Sequence, residues 1–199
     1  MPVVLQARQA LEQYRRGNIN QAIAKLNNVI RIRPNYISAI SYLASIYFNL
    51  GQSDKALEIL NRGLSKNPDN VLLAGQLGLM LVQIKNFSEA IPLLEYVCEK
   101  DRSDPDYLNY LGLAYMGVGS LEKAREKFKE ALRVDPDLVS ALNNLGYLNL
   151  TFFVKEKNEK YLEMALENFD LALKYKPDLE PAIRGKEITL HYKNELDKN

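Results

Sequence analysis

The stretch Glu130–Ala141, EALRVDPDLVSA, returns forty-one residues later as Leu171–Ala182, LALKYKPDLEPA. Both copies hold Ala-Leu, a basic residue, then Pro-Asp-Leu and a closing alanine. The phrase is not confined to these two places. Amphipathic runs also end at Pro34 and Pro68, and Arg102, in "EKDRSD", stands where a further proline is due. The five positions are spaced by 34, 34, 34 and 41 residues. An alanine keeps the same intervals at Ala22, Ala56, Ala90, Ala124 and Ala165. A small residue after leucine recurs every 34 residues at Ala44, Gly78, Gly112 and Gly146. Three markers in one register identify a tandem repeat, and a repeat of this period sets the fold before any other feature is read.

Each repeat reads as two helices. In the second, Ile40, Leu43, Ala44 and Tyr47 fall on one helical face. Gly51 ends that helix, and Ser53 or Asp54 is expected to cap the next. The second helix presents Ala56, Leu57, Leu60 and Leu64 before Pro68 stops it. Small residues at Ala44, Gly78, Gly112 and Gly146, and at the recurring alanines, let helices approach closely. One helix pair cannot bury its apolar face alone, so the repeats must stack.

At "YLNYLGLAYMGVGSLEKAREKFKEALRVDPDL" and "AISYLASIYFNLGQSDKALEILNRGLSKNPDN" the pattern resembles the tetratricopeptide repeat. The resemblance covers about residues 3–179 and implies an all-α, right-handed α-solenoid forming a single domain. The expected repeats are about 3–36, 37–70, 71–104, 105–138 and 139–179, with a capping helix at about 180–196. The last repeat holds seven extra residues around "TFFVKEKNEKYLEM". They either extend the helix pair or lengthen its loop, with "KEKNEK" as a solvated tip and Phe152 and Phe153 needing cover. In the capping helix, Lys186 and Glu187 take the positions of the leucine and the small residue, so a further repeat there would bury charge. Gln6, Gln9 and Gln13 stand where core residues are expected. The first helix is either another cap or part of a longer array.

The 26 basic and 25 acidic residues leave a net charge of +1. That balance argues against nucleic acid or a membrane surface as a partner. One cysteine and one histidine exclude an internal disulfide and a Cys/His metal site. Neither a signal peptide nor an apolar run long enough to span a bilayer is seen, from which a cytoplasmic location is expected. His191 reads as a surface residue of the cap. Cys98 occupies a core position equivalent to Ile30, Leu64, Leu132 and Leu173. "GVG" at 117–119 lacks the strand that a phosphate loop requires. The glycosylation-like triplets at Asn86 and Asn149 are discounted by their places at a turn and in a helix. No catalytic constellation and no cofactor site emerge, so a non-enzymatic protein is expected.

What remains is a surface. The resemblance implies that the first helices line a concave groove for a peptide or helix of a partner protein. Its lining would be Tyr42 and Phe48 in the second repeat, and Leu72, Gln76, Leu79 and Val82 in the third. The fourth would give Asn109, Tyr110, Leu113 and Met116, and the fifth Asn143, Tyr147 and Leu150. Ser41, Ser45, Leu72 and Gln76 replace the basic cluster with which some family members grip a terminal carboxylate. Asparagines could bond the backbone of an extended peptide, and the apolar strip could instead take a helix face. The competing reading is self-association or an appended domain. The groove would then be filled by its own chain, by another copy in a homo-oligomer, or by a neighbouring domain.

Overall fold

In a computed structural model of the chain, residues 3–101, 103–196 and 198 are described. Arg102, where a proline was expected, lies outside them. The described residues form helices throughout: α1 (Val3–Arg15), α2 (Ile19–Ile32), α3 (Ile37–Asn49), α4 (Ser53–Lys66), α5 (Val71–Gln83), α6 (Phe87–Lys100), α7 (Pro105–Gly117), α8 (Leu121–Val134), α9 (Val139–Glu156), α10 (Lys160–Tyr175) and α11 (Glu180–Leu196). Three residues join the helices of each pair and four join one pair to the next. Connections this short force neighbouring helices to run antiparallel. The chain divides after Val97 into two compact units. In the first, α1 packs on α2 and α3 on α4, while the first helices α1, α3 and α5 lie side by side. In the second, α7 packs on α8 and α9 on α10, and α7, α9 and α11 follow one another.

The turn within each of the first four pairs has one chemistry. After α3 the Gly51 amide donates to the Phe48 carbonyl and the Gln52 amide to that of Tyr47, both at 2.9 Å. This closure needs a left-handed residue, and Gly51 supplies it at φ 73°. Lys85 fills the same place after α5 at φ 64°, with the same two bonds, at 3.0 and 2.8 Å. A side chain there is strained. The expected cap by Ser53 or Asp54 is not made. Ser53 is the first residue of α4 and no side chain caps that helix, because the hydrogen-bonded turn delivers the chain directly into it.

The helices touch through missing side chains. A Cβ on Gly78 would stand 2.9 Å from Leu94, and one on Gly112 would stand 2.6 Å from the Phe128 ring. Phe169 of α10 is held on two sides, by Gly146 of α9 at 2.6 Å and, closer still, by Gly185 of α11. Gly185 meets the second helix of the preceding repeat, a different contact from the one Gly78, Gly112 and Gly146 make within their own repeats. Lys186 reaches back to Asp170 at 2.5 Å. The cap is also less polar than expected, since Ile183, Ile188 and Leu190 are exposed.

The seven extra residues lengthen helices and not the loop. α9 has 18 residues against 13 in α7, and α10 has 16 against 14 in α8. Residues 154–160 are exposed, and both phenylalanines are covered. Phe152 stacks on Tyr161 at 5.1 Å with the Arg125 guanidinium 4.7 Å from its ring, and Phe153 meets Tyr192 at 5.2 Å. At the other end, Gln6 and Gln9 accept hydrogen bonds from Asn28 and Lys25 of α2. Gln13 accepts one from Asn18. Ala7 and Ala10 are the buried residues of α1.

Two stability outcomes follow from this packing. Gly185→Ala forces a Cβ onto the Phe169 ring and is expected to lower unfolding free energy by about 2 kcal/mol. In a double-mutant cycle with Phe169→Leu, measured by chemical denaturation, the two changes should couple by about 1 kcal/mol. Lys85→Gly relieves a left-handed side chain and is expected to raise stability by about 0.5–1 kcal/mol, whereas Lys85→Ala should not.

Candidate functional site

The face made by the first helices begins with α3 and α5 in the first unit. Tyr42 and Phe48 of α3 are half-buried. On α5, Leu72 is 52% exposed, Leu79 is half-buried and Val82 is buried. Gln76 lies one helical turn beyond Leu72. Its Nε2 donates to the Ser41 carbonyl at 3.0 Å and to Ser45 Oγ at 2.6 Å. The Ser41 carbonyl can only accept, which fixes that end of the amide as nitrogen. The other end, Oε1, is buried with no donor.

In the second unit the corresponding first helices are α7 and α9. Asn144 donates to Asn109 Oδ1 at 2.9 Å, and Asn109 donates in turn to Ser140 Oγ at 3.3 Å. Asn109 is itself buried, so its amide links helices and does not face outward. Tyr110, Leu113 and Met116 are half-buried. Burial and the nearby Asp106 push the Tyr110 hydroxyl above its ordinary pKa, so it remains a donor. Tyr147 packs edge-on against Phe169 at 5.1 Å and donates to the Pro181 carbonyl at 2.6 Å. Leu150 is buried. Asn143 is half-buried, and its Oδ1, like that of Gln76, is buried without a donor.

The expected strip of exposed apolar residues is thus narrower than the repeat register implied. Val82 and Leu150 are in the core, while Leu79, Leu113 and Met116 show only part of their surface. Asn109 and Asn144 have spent hydrogen-bonding groups on each other. In the first unit Leu72 is the lining residue that stands in solvent, while Gln76 Oε1 is buried.

The sequence reading missed a feature on the second helices. Between α2 and α4 lies a cavity of about 290 Å³ whose lining includes Asn27, Arg31, Arg62 and Lys66. These residues hold none of the positions that mark the period, so no motif signals them.

Among the described residues, no group of three or more His, Cys, Asp or Glu side chains could hold a metal ion, and no helix is long and apolar enough to cross a membrane. His191 is exposed on α11. Asn149, in the second glycosylation-like triplet, is wholly buried.

Two tetratricopeptide repeat family models match the chain, at residues 13–77 and 105–138. Mouse BBS4, a BBSome complex member, is 26% identical over 134 residues, covering 67% of this chain and 26% of its own length. Tetratricopeptide repeat protein 21B of Xenopus laevis is 30% identical over 147 residues, covering 70% of this chain and 11% of its own length. The chain therefore spans about a quarter or less of these curated relatives. Among solved structures, MamA (residues 41 to the end) from Desulfovibrio magneticus RS-1 superposes with a TM-score of 0.77 at 24% identity. That match covers 89% of this chain and 97% of the other.

Cys98 is free and buried, and burial pushes its thiol up to about 11, against a smaller opposing pull from Lys127. Thiolate is the reactive form. Alkylation of the folded protein at pH 8 should therefore run about a hundredfold slower than that of a peptide thiol, and recover in denaturant. Stopped-time mass spectrometry measures both rates.

Proposed function

The chain belongs to the tetratricopeptide repeat family, and we propose that it is a non-catalytic interaction module that takes a peptide or helix of a partner protein on its first-helix face. Proteins of this fold serve as protein–protein interaction scaffolds. The observation that carries the finer reading is Leu72, 52% exposed on a lining whose other apolar residues are half-buried or buried. An apolar side chain of the partner would cover it. The lining carries no charge, which fits a ligand of low charge at this face.

Peptide display against the full chain tests this. Selected sequences should carry spaced apolar residues, and Leu72→Glu should weaken their binding about tenfold or more. Unchanged binding in that variant would remove the first-helix face from the reading. A mass by light scattering that rises from 22.7 kDa with concentration, and returns in Leu72→Glu, would assign the face to another copy.

A further inference from the structure

The cleft between α2 and α4 uses none of the first-helix lining. Asn27, Ile30, Arg31 and Pro34 come from α2 and its exit, and Ile59, Arg62, Gly63 and Lys66 from α4. Each set has the spacing of one helical face. Buried Ile40 and Ile59 form an aliphatic floor, and three cations stand on its walls. A second cavity continues from it, sharing Pro34 and Lys66 and adding Arg33, Asn35 and Tyr36. Neither lining contains a carboxylate. Among the described residues no ion pair engages Arg31, Arg33, Arg62 or Lys66. Arg31 donates to the Asn28 side-chain carbonyl at 2.8 Å.

The fold does not demand these charges. At the positions of Arg62 and Lys66, α10 carries Leu171 and Tyr175. The charge is also unevenly written along the chain: residues 1–97 hold ten basic and six acidic side chains, while 98–199 hold sixteen and nineteen. The cleft therefore sits in the basic part of a nearly neutral chain, where a positive field draws in anions.

We propose that this cleft is a second binding site, for an acidic peptide segment that seats an aliphatic side chain between carboxylates. Unpaired guanidinium forks match carboxylates in geometry and charge. The aliphatic floor and the elongated, continuing cavity exceed what an inorganic anion fills, and a chain segment uses both.

The test is fluorescence anisotropy on the full chain with a labelled peptide, Gly-Asp-Asp-Leu-Asp-Asp-Gly, at about 50 mM salt, where charge pairs are weakly screened. Saturable binding is expected, at least about tenfold weaker for the version with lysines in place of aspartates and for Arg62→Glu/Lys66→Glu. Leu72→Glu should leave it unchanged. If the double reversal does not fold, Arg62→Gln/Lys66→Gln replaces it with the same expected direction. No saturable binding, equal binding of the lysine peptide, or full binding by the double variant overturns the proposal. So does loss of binding in Leu72→Glu, which would move the peptide to the first-helix face. A concentration-dependent mass abolished by the double variant, without peptide binding, would give the cleft to a second copy and likewise overturn it.

Discussion

The structure depends on aromatic rings and leucines set against glycines. Helices stacked through ordinary side chains stand 8–10 Å apart, roughly, depending on what lies between them. Here the spacing is set where one partner has no side chain at all. Gly78 receives Leu94, Gly112 receives Phe128, and Phe169 is clasped by Gly146 and Gly185. Because Phe169 is wedged on two sides, α9, α10 and α11 are fixed as one assembly. Tyr147 rests on the same ring and ties α9 to the start of α11 through the Pro181 carbonyl. A single buried phenylalanine thus decides where part of the first-helix face stands.

A second layer of constraint runs along that face. Gln76 bonds Ser41 and Ser45, Asn144 bonds Asn109, and Asn49 bonds the Tyr14 hydroxyl at 3.1 Å. Each bond joins a residue to one about a repeat away, on the neighbouring first helix. Side-chain bonds of this kind fix the register of helices whose apolar contacts alone would tolerate sliding, since packing is adaptable and hydrogen-bond geometry is not. They also consume most of the polar capacity of the face. The few groups left over, Gln76 Oε1 and Asn143 Oδ1, therefore stand out, because a buried acceptor without a donor costs about 1–3 kcal/mol.

Much of the fold could be read from the sequence, for a physical reason. Proline stops a helix, glycine turns it, and alanine or glycine is required wherever two helices touch. The period of Pro34, Gly51, Ala56 and Pro68 therefore carries the helix boundaries. Reading failed where a different chemistry did the same task. Lys85 turns the chain with a glycine's geometry, and the turn after α3 leaves Ser53 no cap to make. The seven extra residues could be placed only by seeing both helices grow. Exposure along the face was not legible either. Val82 and Leu150 have the letters and the register of exposed positions, and their burial depends on layers the sequence does not show. Asn149 stands where other repeats have Tyr47, Leu81 and Tyr115. Among the described residues its buried amide has no hydrogen-bond partner.

The cleft cations were invisible for a related reason. Arg31 and Lys66 are separated by a whole repeat and meet only because second helices lie in adjacent positions of a stack. Periodicity reports the residues that every repeat must share, and those residues are spent on packing. A residue free to differ between repeats is one the stack does not need, as Arg62 and Lys66 differ from Leu171 and Tyr175. In a helical repeat protein, specificity has to be written at such positions. As proposed, the first-helix face and the basic cleft would divide two kinds of work. The first is neutral and would rely on apolar burial, which salt barely affects. The other would rely on charge, which salt screens. A chain with almost no net charge would in this way carry one site that answers to ionic strength and one that does not.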